Sequence, residues 1–163
     1  MILGRIFTNR KMPSLTPHLI LSFTYNDELV IGTPQELRSK GIPEAIILTQ
    51  AQIKAHYRID KIAKQKINDT VDKEYSPFES ARWTKLTEEA EIYLNTGVAS
   101  DYLLTCQGTN ENLTDYCTQI ITNKAQFEYI LANIRKIRYE KTEEMELLTT
   151  PEDVLNYDHT SRW

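Results

Sequence analysis

The chain has little of what small-molecule chemistry needs. Its three histidines, His18, His56 and His159, lie in separate segments. None has a Cys, His or acidic neighbour at a metal-ligand spacing. The two cysteines, Cys106 and Cys117, are too far apart for the tight pairs of a zinc site and too few for a disulfide framework. The five glycines, Gly4, Gly32, Gly41, Gly97 and Gly108, never cluster, which excludes a loop that cradles phosphate. Glu88 and Glu89 are adjacent, so on a helix they point to different sides and do not face each other as a catalytic pair. The reading from these gaps is no catalytic residue, no metal and no cofactor.

Long apolar runs are also missing. Leu19-Ile20-Leu21 and Ala45-Ile46-Ile47-Leu48 are far too short to span a bilayer. Met1 to Arg5 lacks the charged head, apolar stretch and cleavage site of a signal peptide. A reducing cytoplasm and no membrane partner are expected. Positive charge is not in excess: the net charge is -4, with 26% charged residues of both signs interspersed. That argues against a nucleic-acid binder, which works by neutralising many phosphates. The one basic cluster, Arg135, Lys136, Arg138 and Lys141, sits among Glu128, Glu140, Glu143 and Glu144, and reads as ion pairs along a helix.

What is present is helix grammar. From Asn112 to Leu148 no Gly or Pro interrupts the chain. Leu113, Cys117, Ile120, Lys124, Phe127, Leu131, Ile134, Arg138, Lys141, Met145 and Leu148 recur at steps of four and three, which places them on one helical face. Asn112 or Asn110 caps the start. The rod would be about 50 Å long. Its seam is apolar up to Ile137 and charged beyond. The first half is therefore read as packed, the second as solvated or paired with a partner. Phe127, Leu131, Ile134 and Ile137 are the expected partner-binding residues. An oligomer follows if this stripe exceeds what the shorter helices cover.

The 163 residues suit one domain or a small domain with an appendage. The division read here is a β-containing region over 1–48, a helical module over 49–148, and a short helix and tail over 149–163. In the first, His18 to Phe23 and Glu28 to Ile31 flank Tyr25-Asn26-Asp27 and read as a hairpin. Ile2 to Phe7 reads as a third strand. Thr33-Pro34-Gln35-Glu36 opens a short helix that Gly41 ends. Ala45 to Leu48 reads as one more strand.

Thr49-Gln50-Ala51-Gln52 reads as a capping box for a helix to about Asn68, with apolar stripes on two sides and a polar linker turn after it. Ser76-Pro77-Phe78-Glu79 is the sharpest cap, and Gly97 stops its helix. Trp83 and Phe78 read as core anchors. Ser100 starts a short segment, Tyr102-Leu103-Leu104, that ends near Gly108. Thr150-Pro151 opens a last short helix, and Tyr157 to Trp163 is a loose tail unless Trp163 docks. The fold class is α+β and mainly α: a small N-terminal β-hairpin element, then a helical bundle ending in one long helix.

One resemblance adds to this. Arg58, Ile59 and Ile67 are followed by Ser76-Pro77-Phe78-Glu79-Ser80-Ala81-Arg82-Trp83, then Glu88-Glu89-Ala90 and Tyr93. Leu103-Leu104 comes next, and a last helix bears Leu113, Ile120, Lys124, Ala125, Phe127 and Arg138. Over roughly residues 58 to 140 this is similar to a helical module of bacteriophage tail and tail-fibre assembly proteins. Leu86-Thr87 and Thr105 to Gly108 depart from that pattern. The resemblance implies a tail-fibre assembly chaperone or a virion adaptor, made in the host cytoplasm. It would bind a tail or tail-fibre protein and catalyse nothing, offering an apolar helical stripe and a free β edge. A small regulatory or inhibitory protein that binds a host or phage enzyme is the other reading of the same features.

Overall fold

The computed structural model describes residues 17–74, 77–109 and 111–163, and the side chains of these except 72–74 and 77–81. The strand read over Ile2 to Phe7, the Ser76 cap, the Phe78 anchor and the alternative Asn110 cap lie outside the described residues.

A 3-10 turn, Pro17–Leu19, leads into strands β1 (Leu21–Tyr25) and β2 (Glu28–Gly32). They pair antiparallel with Tyr25 opposite Glu28. Asn26 and Asp27 hold φ of 49° and 64°. Both centres of this two-residue turn are left-handed, a geometry that matches the twist of the strands and that Asn and Asp tolerate. Helices α1 (Pro34–Ser39), α2 (Glu44–Glu74), α3 (Pro77–Thr96), α4 (Asp101–Cys106), α5 (Leu113–Glu146) and α6 (Pro151–Asn156) follow. The chain is thus α+β and mainly α, with a small hairpin near the N-terminus and a long helix, α5, toward the C-terminus.

The caps act as their sequences require. Thr33 accepts from the Glu36 backbone N–H while the Glu36 carboxylate accepts from the Thr33 N–H at 2.8 Å, a closed capping box. Ser100 caps α4 and Thr150 caps α6, with Pro151 in the first turn. Asn112 caps α5: its Oδ1 accepts from the N–H groups of Thr114 and Asp115 at 2.9 and 3.2 Å. Gly97 ends α3 at φ 73°, the left-handed conformation that closes a helix cheaply only in glycine.

α2 differs from the sequence reading in three ways. Ala45 to Leu48 is helix and not strand, because the turn starts one step after Pro43, whose carbonyl accepts from the Ile46 and Ile47 N–H groups. Thr49 is no cap: its hydroxyl donates back to the Ala45 carbonyl at 2.8 Å inside the helix. The polar stretch 68–74 remains helical. The two stripes also reduce to one. Ile47, Ala51, Ala55, Ile59 and Ala63 are buried, whereas Ile53 and Tyr57 are 55% and 68% exposed.

Two compact units are formed by Met1–Arg58 with Glu143–His159, and by Ile59–Thr142 with Thr160–Trp163. The first buries Leu21, Leu37, Ile47, Met145, Val154 and Leu155. Arg38 clamps it: its guanidinium donates to both carboxylate oxygens of Glu44 and both of Glu152, at 2.6 to 2.9 Å. Arg58 donates to the carbonyls of His18 and Leu155, and Lys54 to that of Ile20. Burial pushes the pKa of Arg58 and Lys54 down.

In the second unit the core is Leu86, Ala90, Leu103, Cys117 and Ile120, with Trp83, Tyr93, Tyr102, Leu113 and Tyr116 packed around it. α5 runs unbroken for 34 residues, about 51 Å at 1.5 Å per residue. Its charged half is not simply solvated: Lys141 and Met145 are fully buried. A buried ammonium is tolerated only with a partner, and Lys141 has one.

Candidate groove beside Trp83

Trp83 is the residue around which the second unit is hollow. Its indole borders two depressions. One, of about 400 Å³, is lined by Thr84, Thr87 and Glu88 of α3 and by Lys124, Phe127 and Leu131 of α5, with Val71 of α2 at its end. The other, of about 310 Å³, is lined by Arg82, Leu86, Tyr116, Gln119, Ile120 and Asn123, with Glu111 at its rim.

The first depression combines apolar walls, Val71, Trp83, Phe127 and Leu131, with two charged residues, Glu88 and Lys124. Thr87 is buried, and its hydroxyl donates to the Trp83 carbonyl at 2.8 Å, so the polar atom is satisfied inside α3. The rim is fixed by Lys124, whose ammonium pairs with Glu91 at 3.1 Å between α5 and α3. Both partners are substantially exposed, so the pair orients the rim more than it stabilises the fold.

The second depression is more polar. The Tyr116 hydroxyl donates to the Cys106 carbonyl at 3.0 Å, and burial pushes the Tyr116 pKa up. The hydrogen bond with Cys106 raises the pKa of Arg82, which stays charged. Cys117 is buried, and burial raises its thiol pKa, which keeps it an inert packing residue. Lys85 lies over the Tyr102 ring, 4.4 Å from its centroid, a cation–π contact on the outer side of the same cluster.

The four residues expected to meet a partner differ in their surroundings. Phe127 and Leu131 line the apolar depression, where α3 faces them. Ile134 is only 7% exposed and belongs to the interior. Ile137 is half-buried and lines neither depression. Helical periodicity shows which residues share a face, but not that α3 faces part of it.

The basic cluster is divided between two kinds of partner. Lys136 pairs with Glu140 along α5 at 3.6 Å, while Arg138 donates to Asp60 of α2 at 2.7 Å. His56 pairs with Glu146 at 3.2 Å, and the ring nitrogen Nδ1 of His159 lies 3.0 Å from the Tyr157 carbonyl. Among the described residues no three His, Cys, Asp or Glu side chains are grouped to hold a metal, and no helix is long and apolar enough to cross a membrane. Glu88 is at the edge of the apolar depression and Glu89 is half-buried beside it in sequence, so the two do not form a facing pair.

The chain matches no family model, no curated protein and no solved structure.

Proposed function

We propose that this chain is a phage tail-fibre-associated protein, an assembly chaperone or a virion adaptor, and a binding part rather than an enzyme. The observation that carries the reading is the apolar depression between Trp83, Thr87, Phe127 and Leu131. A surface of this kind takes an apolar side chain or a helix edge from another protein, and its energy comes from water released by the aromatic and aliphatic walls. The similarity of residues 58 to 140 to tail-fibre assembly modules supports the choice of partner. The protein would be made in the host cytoplasm; as an adaptor it would stay with the tail.

The test is capture of the tail-fibre protein encoded next to this chain, with the mass of the complex measured in solution. Thr84→Arg places a long charged side chain at an exposed position on the wall without touching the core. It should leave the helical circular dichroism unchanged and weaken capture by about tenfold or more, the 1.4 kcal/mol scale of one good apolar contact. No capture by the unaltered chain, or equal capture by Thr84→Arg, would refute the proposal. A complex formed instead with a purified neighbouring enzyme, accompanied by loss of its activity, would favour the regulatory reading.

A further inference from the structure

Residues Thr160–Trp163 follow α6 and belong to the unit built from Ile59–Thr142. Trp163 is half-buried and shares a hollow of about 400 Å³ with Thr70 of α2 and Tyr129, Ile130 and Ile134 of α5. Tyr129 lies on the opposite side of α5 from Phe127, since each residue turns the helix by about 100°, whereas Ile134 shares the face of Phe127 and lies about two turns further on. The apolar surface runs outward from the hollow: Ile134 is interior, while Tyr129 is 72% exposed. The link to the indole is strained. Arg162 holds φ of 64°, a left-handed conformation that a non-glycine residue adopts only when its surroundings hold it there.

We propose that Thr160–Trp163 is an intramolecular cover on the α2–α5 face, seated by Trp163, and that its release opens a site for an aromatic side chain on a peptide segment of a partner. The chain's own indole defines what the site accepts. Its covalent tether gives it a high effective concentration, so a partner segment with the same aromatic chemistry competes only when it binds more strongly or when the cover is lifted. The left-handed backbone at Arg162 offsets part of the contact energy that seats the cover. The proposal holds whether or not a tail-fibre protein binds beside Trp83.

The chain has two tryptophans, so Trp83→Phe leaves Trp163 as the sole indole reporter. If that variant misfolds, the difference spectrum between the unaltered chain and Trp163→Phe supplies the same signal. The expected result is blue-shifted emission and iodide quenching at least twofold weaker than for free N-acetyl-tryptophanamide. In Trp163→Ala, the added tetrapeptide Thr-Ser-Arg-Trp should shift the NMR signals of Tyr129 to Ile134 at a concentration at least fivefold below that needed with the unaltered chain. Trp163 quenched as freely as the small amide, or peptide binding that is absent or equal in both proteins, would overturn the proposal.

Discussion

Leu103 is the test of how the second unit is held together. It lies on α4, a helix of six residues. A helix that short has no stability of its own, so burial of one side must hold it. Leu103 is fully buried against Leu86, Ala90, Cys117 and Ile120, while its neighbour Leu104 is 49% exposed. Leu103→Ala removes a buried isobutyl group and leaves a cavity, a change that costs about 2–5 kcal/mol. The site is walled by α3 and α5 and so collapses little, which favours about 3 kcal/mol or more within that span. For a chain of this size that lowers Tm by roughly 6–12 °C, and moves the urea midpoint by roughly 1–3 M. Leu104→Ala, taken from the surface, should cost under about 0.5 kcal/mol. Urea titration followed by tryptophan fluorescence reads this unit directly, because Trp83 packs on the same cluster. A Leu103→Ala loss below about 1 kcal/mol, or equal losses at Leu103 and Leu104, would refute the placement of α4.

Two further outcomes follow from the caps and clamps. Asn112→Ala removes the acceptor for two backbone N–H groups at the start of α5 and should cost about 1 kcal/mol, whereas Asn112→Asp should be close to neutral; thermal unfolding by circular dichroism checks both. Hydrogen bonds from Arg38 hold the Glu44 and Glu152 carboxyls below their ordinary value of 4.5, and those from Thr33 do the same for Glu36. A carboxyl with a depressed folded pKa stabilises the fold above its unfolded value and stops doing so as pH falls through the folded one. The first unit should therefore lose stability below about pH 4.5, and Arg38→Gln should flatten that acid limb while leaving the limb above pH 5 unchanged in slope.

The features legible in the sequence are those that short range determines. The hairpin was visible because Asn26-Asp27 suits left-handed backbone, and the ends of α1, α4, α5 and α6 because Thr33, Ser100, Asn112 and Thr150 act within three residues of themselves. α2 was misread for the same reason in reverse. Thr49-Gln50-Ala51-Gln52 has the letters of a capping box, yet the helix had already begun after Pro43, and a hydroxyl within a helix finds the carbonyl one turn back. The apolar letters of Ala45 to Leu48 suit a strand or a buried helix equally, and burial of Ile47 in the first unit decides for helix. Burial of Lys141 was also hidden, because a charged letter does not show that the fold supplies its ammonium with a partner inside. Trp83 reads as an anchor and is one, but its second role depends on α3 and α5 meeting across residues more than thirty positions apart, as Lys124 and Glu91 do.

That second role follows from side-chain size. On α5 the positions lining the depression are all large, Lys124, Phe127 and Leu131, while α3 sets two short side chains, Thr84 and Thr87, between Trp83 and Glu88. Interiors fill to the density of organic crystals when their sequences allow it, because each unfilled methylene forfeits dispersion contacts along its walls. In the interior of the same unit Leu86, Leu103 and Ile120 shield Ala90 and Cys117 fully from solvent. Thr87 directs its hydroxyl into α3, so a leucine at Thr87 would leave no group of the depression without its hydrogen bond. At Thr87, therefore, the space is not imposed by a polar requirement, and the proposed contact of a partner side chain with Trp83, Phe127 and Leu131 would recover the dispersion forgone there.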